Sequence, residues 1–284
     1  TALTTGRVCE MTISDPFSRD AAVSGRTVAL PLINQPVPYE AGAPALERFR
    51  RNWLVSGIGE AGQARLAAAR VLVVGAGGLG SPVLLYLTAA GIGTIGICDS
   101  DVVEVSNLQR QLLHGEGDVG DPKPDSAVRH LSGLNSSVRF ERYGHVTREW
   151  LDEHGREWDL IVECTDNFDA KYLVADYCAD SGVPLVWGTV VSMAFQVSVF
   201  WSAAPAPVPS LTLRSLHPVK PAPGTTPASP KVGVLGPVVG QAGTAMATEA
   251  IKLLVGFGEP LIGRVLMMDA ATQRADVLTF APLD

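Results

Sequence analysis

Arg70-Val71-Leu72-Val73-Val74-Gly75-Ala76-Gly77-Gly78-Leu79-Gly80-Ser81 is the stretch that decides the fold. Val71 to Val74 is a short, largely β-branched run closed by glycine, the pattern of a strand buried in a parallel sheet, and Ser81 to Ala90 predicts the helix that follows. The glycines therefore fall at a strand-to-helix turn. Gly75 permits a tight turn, Gly77 and Gly78 let a phosphate approach the backbone, and Gly80 allows close packing of helix on strand. The N–H groups at the helix start then face the anion. Thr94 to Cys98 reads as a second strand ending in Asp99, where an acid can meet ribose hydroxyls. Glycine turns also join strands to helices that bind nothing, and turn plus acid alone fit a nicotinamide- or flavin-dependent enzyme equally well.

The 284 residues suffice for one large α/β unit with an appended arm. An apolar fraction of 46% and 29 glycines describe an ordinary globular chain rich in turns. The net charge of −7 argues against nucleic acid as the main partner while leaving room for a local basic site. Cys9, Cys98, Cys164 and Cys178 form no Cys-x-x-Cys pair and read as reduced core residues of a cytoplasmic protein. With no apolar run of roughly 18 residues and no charged-then-apolar leader, neither a membrane span nor a signal peptide is expected.

Residues 1–45 read as an irregular arm, broken by Pro31, Pro36, Pro38 and Pro44, strand-like only at Thr27 to Leu30 and mobile over its first part. Residues 46–284 read as one domain. Pro44 to Leu54 predicts an amphipathic helix with Leu46, Phe49 and Trp53 on one face, and Gly62 to Ala69 a second. Helices are expected at Lys123 to Leu134, Thr147 to His154 with Thr147 as cap, and Phe168 to Ser181 stopped by Gly182. Strands are expected at Val138 to Tyr143, Asp159 to Cys164 and Pro184 to Trp187. This alternation predicts a Rossmann-like, doubly wound α/β fold with a parallel N-terminal half. Phe195 to Trp201, Arg264 to Asp269 and Asp276 to Phe280 lack crossover helices and predict antiparallel strands added to the same sheet. Eight prolines between Ala203 and Lys231 predict a long mobile loop, and Gly240 to Val255 a helix apolar nearly all round.

Three clusters follow the glycine turn at or beyond strand ends: Ser106-Asn107-Leu108-Gln109-Arg110-Gln111, Asp121-Pro122-Lys123 and Cys164-Thr165-Asp166-Asn167. In an open parallel sheet the carboxyl ends of strands frame the ligand crevice, so these residues converge with Gly75 to Gly80 and Asp99. Arg110 can grip a phosphate through two hydrogen bonds, Lys123 can act as a point charge, and Asp166 can hold Mg²⁺. Singly, each has a plainer reading: Arg110 and Lys123 as solvated charges, Asp166-Asn167 as a helix cap. An NAD-dependent oxidoreductase would use the turn and Asp99 but leave Arg110, Lys123 and Asp166 idle.

Together these motifs resemble the ThiF/MoeB-type adenylyltransferases, bacterial relatives of ubiquitin-activating enzymes. The matching text also includes Arg48-Phe49-Arg50-Arg51-Asn52, Gly62-Gln63, Asp99-Ser100-Asp101, Gly120-Asp121-Pro122-Lys123, Gly236-Pro237, Glu249-Ala250-Ile251-Lys252 and Met268-Asp269-Ala270. The resemblance implies that ATP and Mg²⁺ are used to activate the C-terminal Gly-Gly carboxylate of a small β-grasp sulfur-carrier protein, releasing pyrophosphate. Carriers for molybdopterin, thiamine or cysteine synthesis, or an adenylated peptide or specialised-metabolite carrier, are all compatible. By resemblance, Arg110, Lys123 and Asp166 serve the phosphates and Mg²⁺, Asp99 the ribose and Asn107 the phosphate site. Gly75, Gly77, Gly78, Gly80, Asp101, Ser106, Leu108, Gln109, Gln111 and Asn167 complete the nucleotide site. Arg51 matches an arginine that reaches into the neighbouring subunit's site, which implies a homodimer.

The chain departs from the pattern in two places. Many relatives hold zinc with two Cys-x-x-Cys pairs; Pro207 to Leu213 occupies the first location and the second is missing, so no zinc is expected. The same loop lacks the cysteine that handles a thioester or persulfide in relatives. No sulfurtransferase domain follows, so a separate sulfurtransferase is expected.

Overall fold

The computed structural model describes residues 31–33, 43–222 and 232–281. At its centre is one eight-stranded sheet in the order β3-β2-β1-β4-β5-β6-β7-β8. The strands are β1 (Arg70–Val74), β2 (Thr94–Cys98), β3 (Arg139–Tyr143), β4 (Leu160–Glu163), β5 (Leu185–Val191), β6 (Ala194–Phe200), β7 (Arg264–Asp269) and β8 (Arg274–Thr279). The first five run parallel and the last three add antiparallel. The mixed, doubly wound sheet read from the sequence is therefore present.

Helices cover both faces: α1 (Ala43–Trp53), α2 (Gly59–Ala68), α3 (Gly80–Ala90), α4 (Lys123–Leu134), α5 (Arg148–His154), α6 (Phe168–Ser181), α7 (Leu213–Leu216) and α8 (Gly236–Val255). The period-two geometry of a strand sends neighbouring side chains to opposite faces, so a strand covered on both must be apolar throughout. Val71, Val73, Leu160 and Val162 enter the core beneath α3 and α8, while Leu72, Val74 and Ile161 enter the core shared with α6. All seven are buried, each contributing about 1.5–3 kcal/mol relative to an exposed position. On β2 the place of a large side chain is taken by Gly96, because a Cβ there would meet Trp158 and Leu72.

Local signals fix the helix ends. The Thr147 hydroxyl accepts the Trp150 N–H at 3.2 Å, and the Asn167 side chain accepts the Ala170 N–H at 2.8 Å. Gly91, Gly182 and Gly256 end α3, α6 and α8 in the left-handed conformation. α8 begins at Gly236, earlier than the apolar run suggested, because Pro237 suits a first helical turn where no N–H is required. Its one buried carboxylate, Glu249, accepts the Leu261 N–H at 2.8 Å and pairs with Lys252. Phe49 of α1 is buried as expected; the Leu46 side chain, the Thr27 to Leu30 run and Cys9 lie outside the described residues. Pro31 packs on Gly256 and the Leu32 N–H reaches the Leu253 carbonyl at 3.0 Å, which docks 31–33 on the end of α8.

Two expectations are corrected. β5 runs on to Val191 instead of stopping at Trp187: Gly188 is an in-strand glycine forced by Met246, and Thr189-Val190-Val191 continue the pairing with β6. The proline-rich segment is no free loop as far as Ala222. Val208, Leu211 and Leu213 are buried, and Arg214 grips Asp176 of α6 through two contacts of 2.8 Å. The anchors lie ahead of Leu216, and the prolines space them instead of loosening them; 223–231 lie outside the described residues. No helix among the described residues is long and apolar enough to cross a membrane.

Gly96→Val is expected to destabilise the protein by about 1–3 kcal/mol through overpacking against Trp158, measured as a lower urea midpoint with an unchanged slope.

Candidate active site

The strand order reverses direction of growth between β1 and β4, and a cavity of about 330 Å³ opens there beyond the carboxyl ends of the parallel strands. Its floor is the β1–α3 turn. Gly75 sits at φ +101° with the backbone of Cys164 close by; a Cβ would lie 2.9 Å from the Cys164 carbonyl carbon. Gly80 meets the Gly75 carbonyl oxygen in the same way, so side chains at either position would push the turn off the sheet. Gly75, Gly77 and Gly78 line the cavity, whereas Gly80 starts the helix behind it.

Asp99 ends β2 and faces the same space. Its carboxylate accepts the Ala76 N–H and the Asp101 N–H, each at 2.8 Å, which ties the glycine turn to β2. Asp101 accepts the Lys123 ammonium at 2.8 Å. Lys123 is buried at the start of α4 yet lines the cavity, so its charge is held at the wall by one exposed carboxylate. Arg110 lines the cavity beside Gly78 and spends one guanidinium N–H on the Ser106 carbonyl at 3.0 Å. Gln111 is buried at the cavity wall, and its side-chain oxygen, itself buried, has no partner among the described residues.

The turn is also held from below. His114 is buried, with Nε2 2.9 Å from the Ala76 carbonyl oxygen and Nδ1 2.8 Å from the Ser126 hydroxyl. Burial lowers its pKa below the ordinary histidine value of 6.5, helped by the nearby Lys123 charge and opposed by the Ala76 contact.

On the far wall, Asp166 and Asn167 follow β4. Asn167 caps α6, as the plainer reading of that pair expects, whereas the exposed Asp166 makes no hydrogen bond or ion pair among the described residues and lines the cavity. Of the Ser106 to Gln111 stretch only Arg110 and Gln111 face the cavity. Ser106, Leu108 and Gln109 sit outside it. Asn107 is buried and turns inward on its own loop, accepting the Glu104 N–H at 3.2 Å and donating to the Ser106 hydroxyl at 3.4 Å. Arg51 is exposed on α1 and does not line the cavity.

Several wall residues escaped the sequence reading: Gly144 to Val146 after β3, Thr189 to Val191 of β5, Val232 to Val234, and Lys171 of α6. Only Lys171 carried a visible signal, a lysine in a helix that otherwise turns apolar residues inward. Cys98 and Cys164 also line the cavity. Burial, with Asp99 alongside, pushes the Cys98 thiol up to about 12, and burial drives Cys164 well above its usual value, so both are neutral thiols and poor nucleophiles.

The residues fit a nucleotide triphosphate: glycines that line the cavity without side chains, two cations and a free carboxylate. No group of three or more histidine, cysteine or acidic side chains able to hold a metal alone occurs among the described residues. Mg²⁺ takes one or two carboxylates and completes its shell with phosphate oxygens and water, and the exposed Asp166 on the cavity wall is a carboxylate able to serve it.

Fold and cavity together define a doubly wound α/β domain with a glycine-lined cavity at its switch point. Residues 49–283 match the ThiF family, and the chain belongs to it. A Mycobacterium tuberculosis protein named as a probable adenylyltransferase/sulfurtransferase, MoeZ, is 45% identical over 224 residues, which cover 78% of this chain and 57% of that protein. The chain thus spans little more than half of that relative. The sulfur carrier protein adenylyltransferase of Thermus thermophilus is 44% identical over 226 residues, covering 79% of this chain and 83% of the relative. Among solved structures, E. coli MccB crystallised with MccA-N7isoASN superposes with a TM-score of 0.73 at 23% identity, covering 86% of this chain and 74% of that one, which is a likeness of fold.

His114 supplies a pH prediction. A histidine whose pKa is lowered on folding keeps its full contribution above the unfolded value of 6.5 and loses it as pH falls toward the folded value. The urea midpoint is expected to drop between pH 7.5 and 5.5, and His114→Gln is expected to show a smaller drop over that interval.

Proposed function

We propose that this protein is an ATP-dependent adenylyltransferase that activates the C-terminal Gly-Gly carboxylate of a small β-grasp sulfur-carrier protein. One observation carries the reading: a single cavity gathers the glycine cradle, Lys123, Arg110 and the unpartnered Asp166. A dehydrogenase needs no such set around its dinucleotide. Membership of the ThiF family and relatives named for sulfur-carrier adenylation support the same chemistry.

In the proposed reaction a carboxylate oxygen attacks the α-phosphorus of ATP, the bond from that phosphorus to the pyrophosphate oxygen breaks, and acyl-adenylate and pyrophosphate leave. Two anions must meet, so the protein's task is neutralisation and in-line positioning. Glycine-turn N–H groups and the start of α3 receive phosphate oxygens. Lys123, released from or shared with Asp101, and Arg110, swung from the Ser106 carbonyl, supply positive charge. Asp99 would meet the ribose hydroxyls, and Asp166 would hold Mg²⁺. Mg²⁺, when bound, offsets the phosphate charge. The described cysteines are buried, so sulfur would be delivered by a group other than these thiols.

The reaction is tested by label exchange between pyrophosphate and ATP with Mg²⁺ and candidate carriers. Exchange that depends on an intact Gly-Gly terminus is expected, and its absence with every Gly-Gly carrier of the same genome would refute the reading. Asp166→Ala is expected to lower exchange at least about 100-fold while the thermal midpoint holds, the scale of one lost transition-state charge contact.

The exposed Arg51 is proposed to complete the site of a second subunit in a homodimer. Arg51→Ala and Asp166→Ala are each expected to be inactive, and a refolded 1:1 mixture to regain about a quarter of wild-type exchange, since half the dimers are mixed and each has one whole site. A mixture as inactive as its parts would overturn the action of Arg51 in the partner's site and confine it to its own subunit.

A further inference from the structure

The most deeply buried ion pair among the described residues lies against the cavity, and the reaction above gives it no task. Glu163, the last residue of β4, is fully buried, and Lys171, one turn into α6, is 3% exposed. The Lys171 ammonium donates to one Glu163 oxygen at 2.7 Å and to the Gly188 carbonyl of β5 at 2.7 Å. The other Glu163 oxygen accepts both the N–H and the hydroxyl of Thr165, at 2.7 and 2.5 Å. The Trp187 ring lies 5.7 Å from the ammonium.

Each end of the pair is thereby tied to backbone beside the cavity, Glu163 to the Thr165 N–H and Lys171 to the Gly188 carbonyl. Thr165 immediately precedes Asp166, and Gly188 immediately precedes the Thr189 to Val191 wall. Burying two charges is costly unless geometry and additional hydrogen bonds compensate, and apolar residues of similar volume would serve stability as well or better. A pair retained on such terms, with each end fixed to a site loop, has a use other than core stability.

We infer that Lys171 and Glu163 are positioning residues: a buried strut that holds the Thr165-Asp166 bend at a set distance from the start of the Thr189 to Val191 wall. Asp166 has no bond of its own to set its place, so its reach toward the ligand is inherited from Glu163 through Thr165. The opposite wall is registered to the same carboxylate through Lys171. Arginine at 171 can make the same contacts, because its guanidinium presents several donors in a fixed fork. Methionine fills the volume and leaves Glu163 with a buried, unpaired charge.

The consequence for catalysis rests on the adenylation reading, but the strut itself does not, and the test separates them. Amide hydrogen exchange is measured on the whole chain for wild type, Lys171→Arg, Lys171→Met and the charge-free double variant Glu163→Gln/Lys171→Met, which guards against misfolding. The strut predicts at least tenfold faster exchange at Thr165 and in the 188–191 segment of the double variant, with Val71 to Val74 still protected and Lys171→Arg near wild type. Unchanged protection at Thr165 in the folded double variant overturns the inference, whatever the chain's activity. In pyrophosphate exchange the double variant is expected to need at least tenfold more Mg²⁺ for half-maximal rate and to lose kcat with ATP KM altered less than threefold. A wild-type Mg²⁺ requirement alongside loosened amides reduces the pair to a purely structural role and overturns its positioning of Asp166. No exchange by wild type itself would count against the adenylation reading alone.

Discussion

The close approach of Gly75 to the backbone of Cys164 is the constraint on which the rest of the structure depends. β1 can lie between β2 and β4 in parallel register only if the chain leaving β1 turns away before it meets the chain leaving β4. With glycine at 75 and 80 the turn folds flat against the sheet, α3 starts at once, and the space above stays open. The same compression brings the Gly75 N–H onto the Cys98 carbonyl and the Ala76 N–H onto Asp99. The packing of the sheet and the opening of the cavity are here one geometric event.

Most of the architecture was legible because strands buried on both faces leave a dense apolar record. Val71 to Val74, Thr94 to Cys98 and the helix Phe168 to Ser181 with its Asn167 and Gly182 ends all advertise themselves locally. β5 was less legible because Gly188 resembles a terminator; its cause, the sulfur of Met246 in α8, is distant in sequence. The segment 203–222 misled for a related reason. Proline density reads as mobility, while the fixing contacts, Arg214 on Asp176 and the buried Leu211 and Leu213, come from tertiary structure.

The site was legible as a set of clusters and less so as a set of side chains. Arg110, Gln111, Lys123, Asp99, Asp101, Asp166 and Asn167 share one cavity, as strand-end logic suggests. Within a contiguous motif that logic cannot say which residues face inward. Asn107 turns onto its own loop, while Lys171, read only as part of a helix, reaches the wall. A buried charge is the kind of residue that pattern reading passes over, since its partner lies on another element.

At the end of β4, two neighbouring residues divide the labour completely. Asn167 secures the first turn of α6, a cap whose loss costs about 1 kcal/mol, whereas Asp166 supports no part of the described fold. The two positions therefore answer to different selective pressures. A lineage with no further use for the carboxylate could replace residue 166 with scarcely any penalty in folding, while drift at 167, which lines the same cavity, would be checked by the stability of α6 as well. At position 166 a change in the cavity wall is separable from a change in the fold, which makes this bend a ready point of divergence between copies of the domain that share a scaffold.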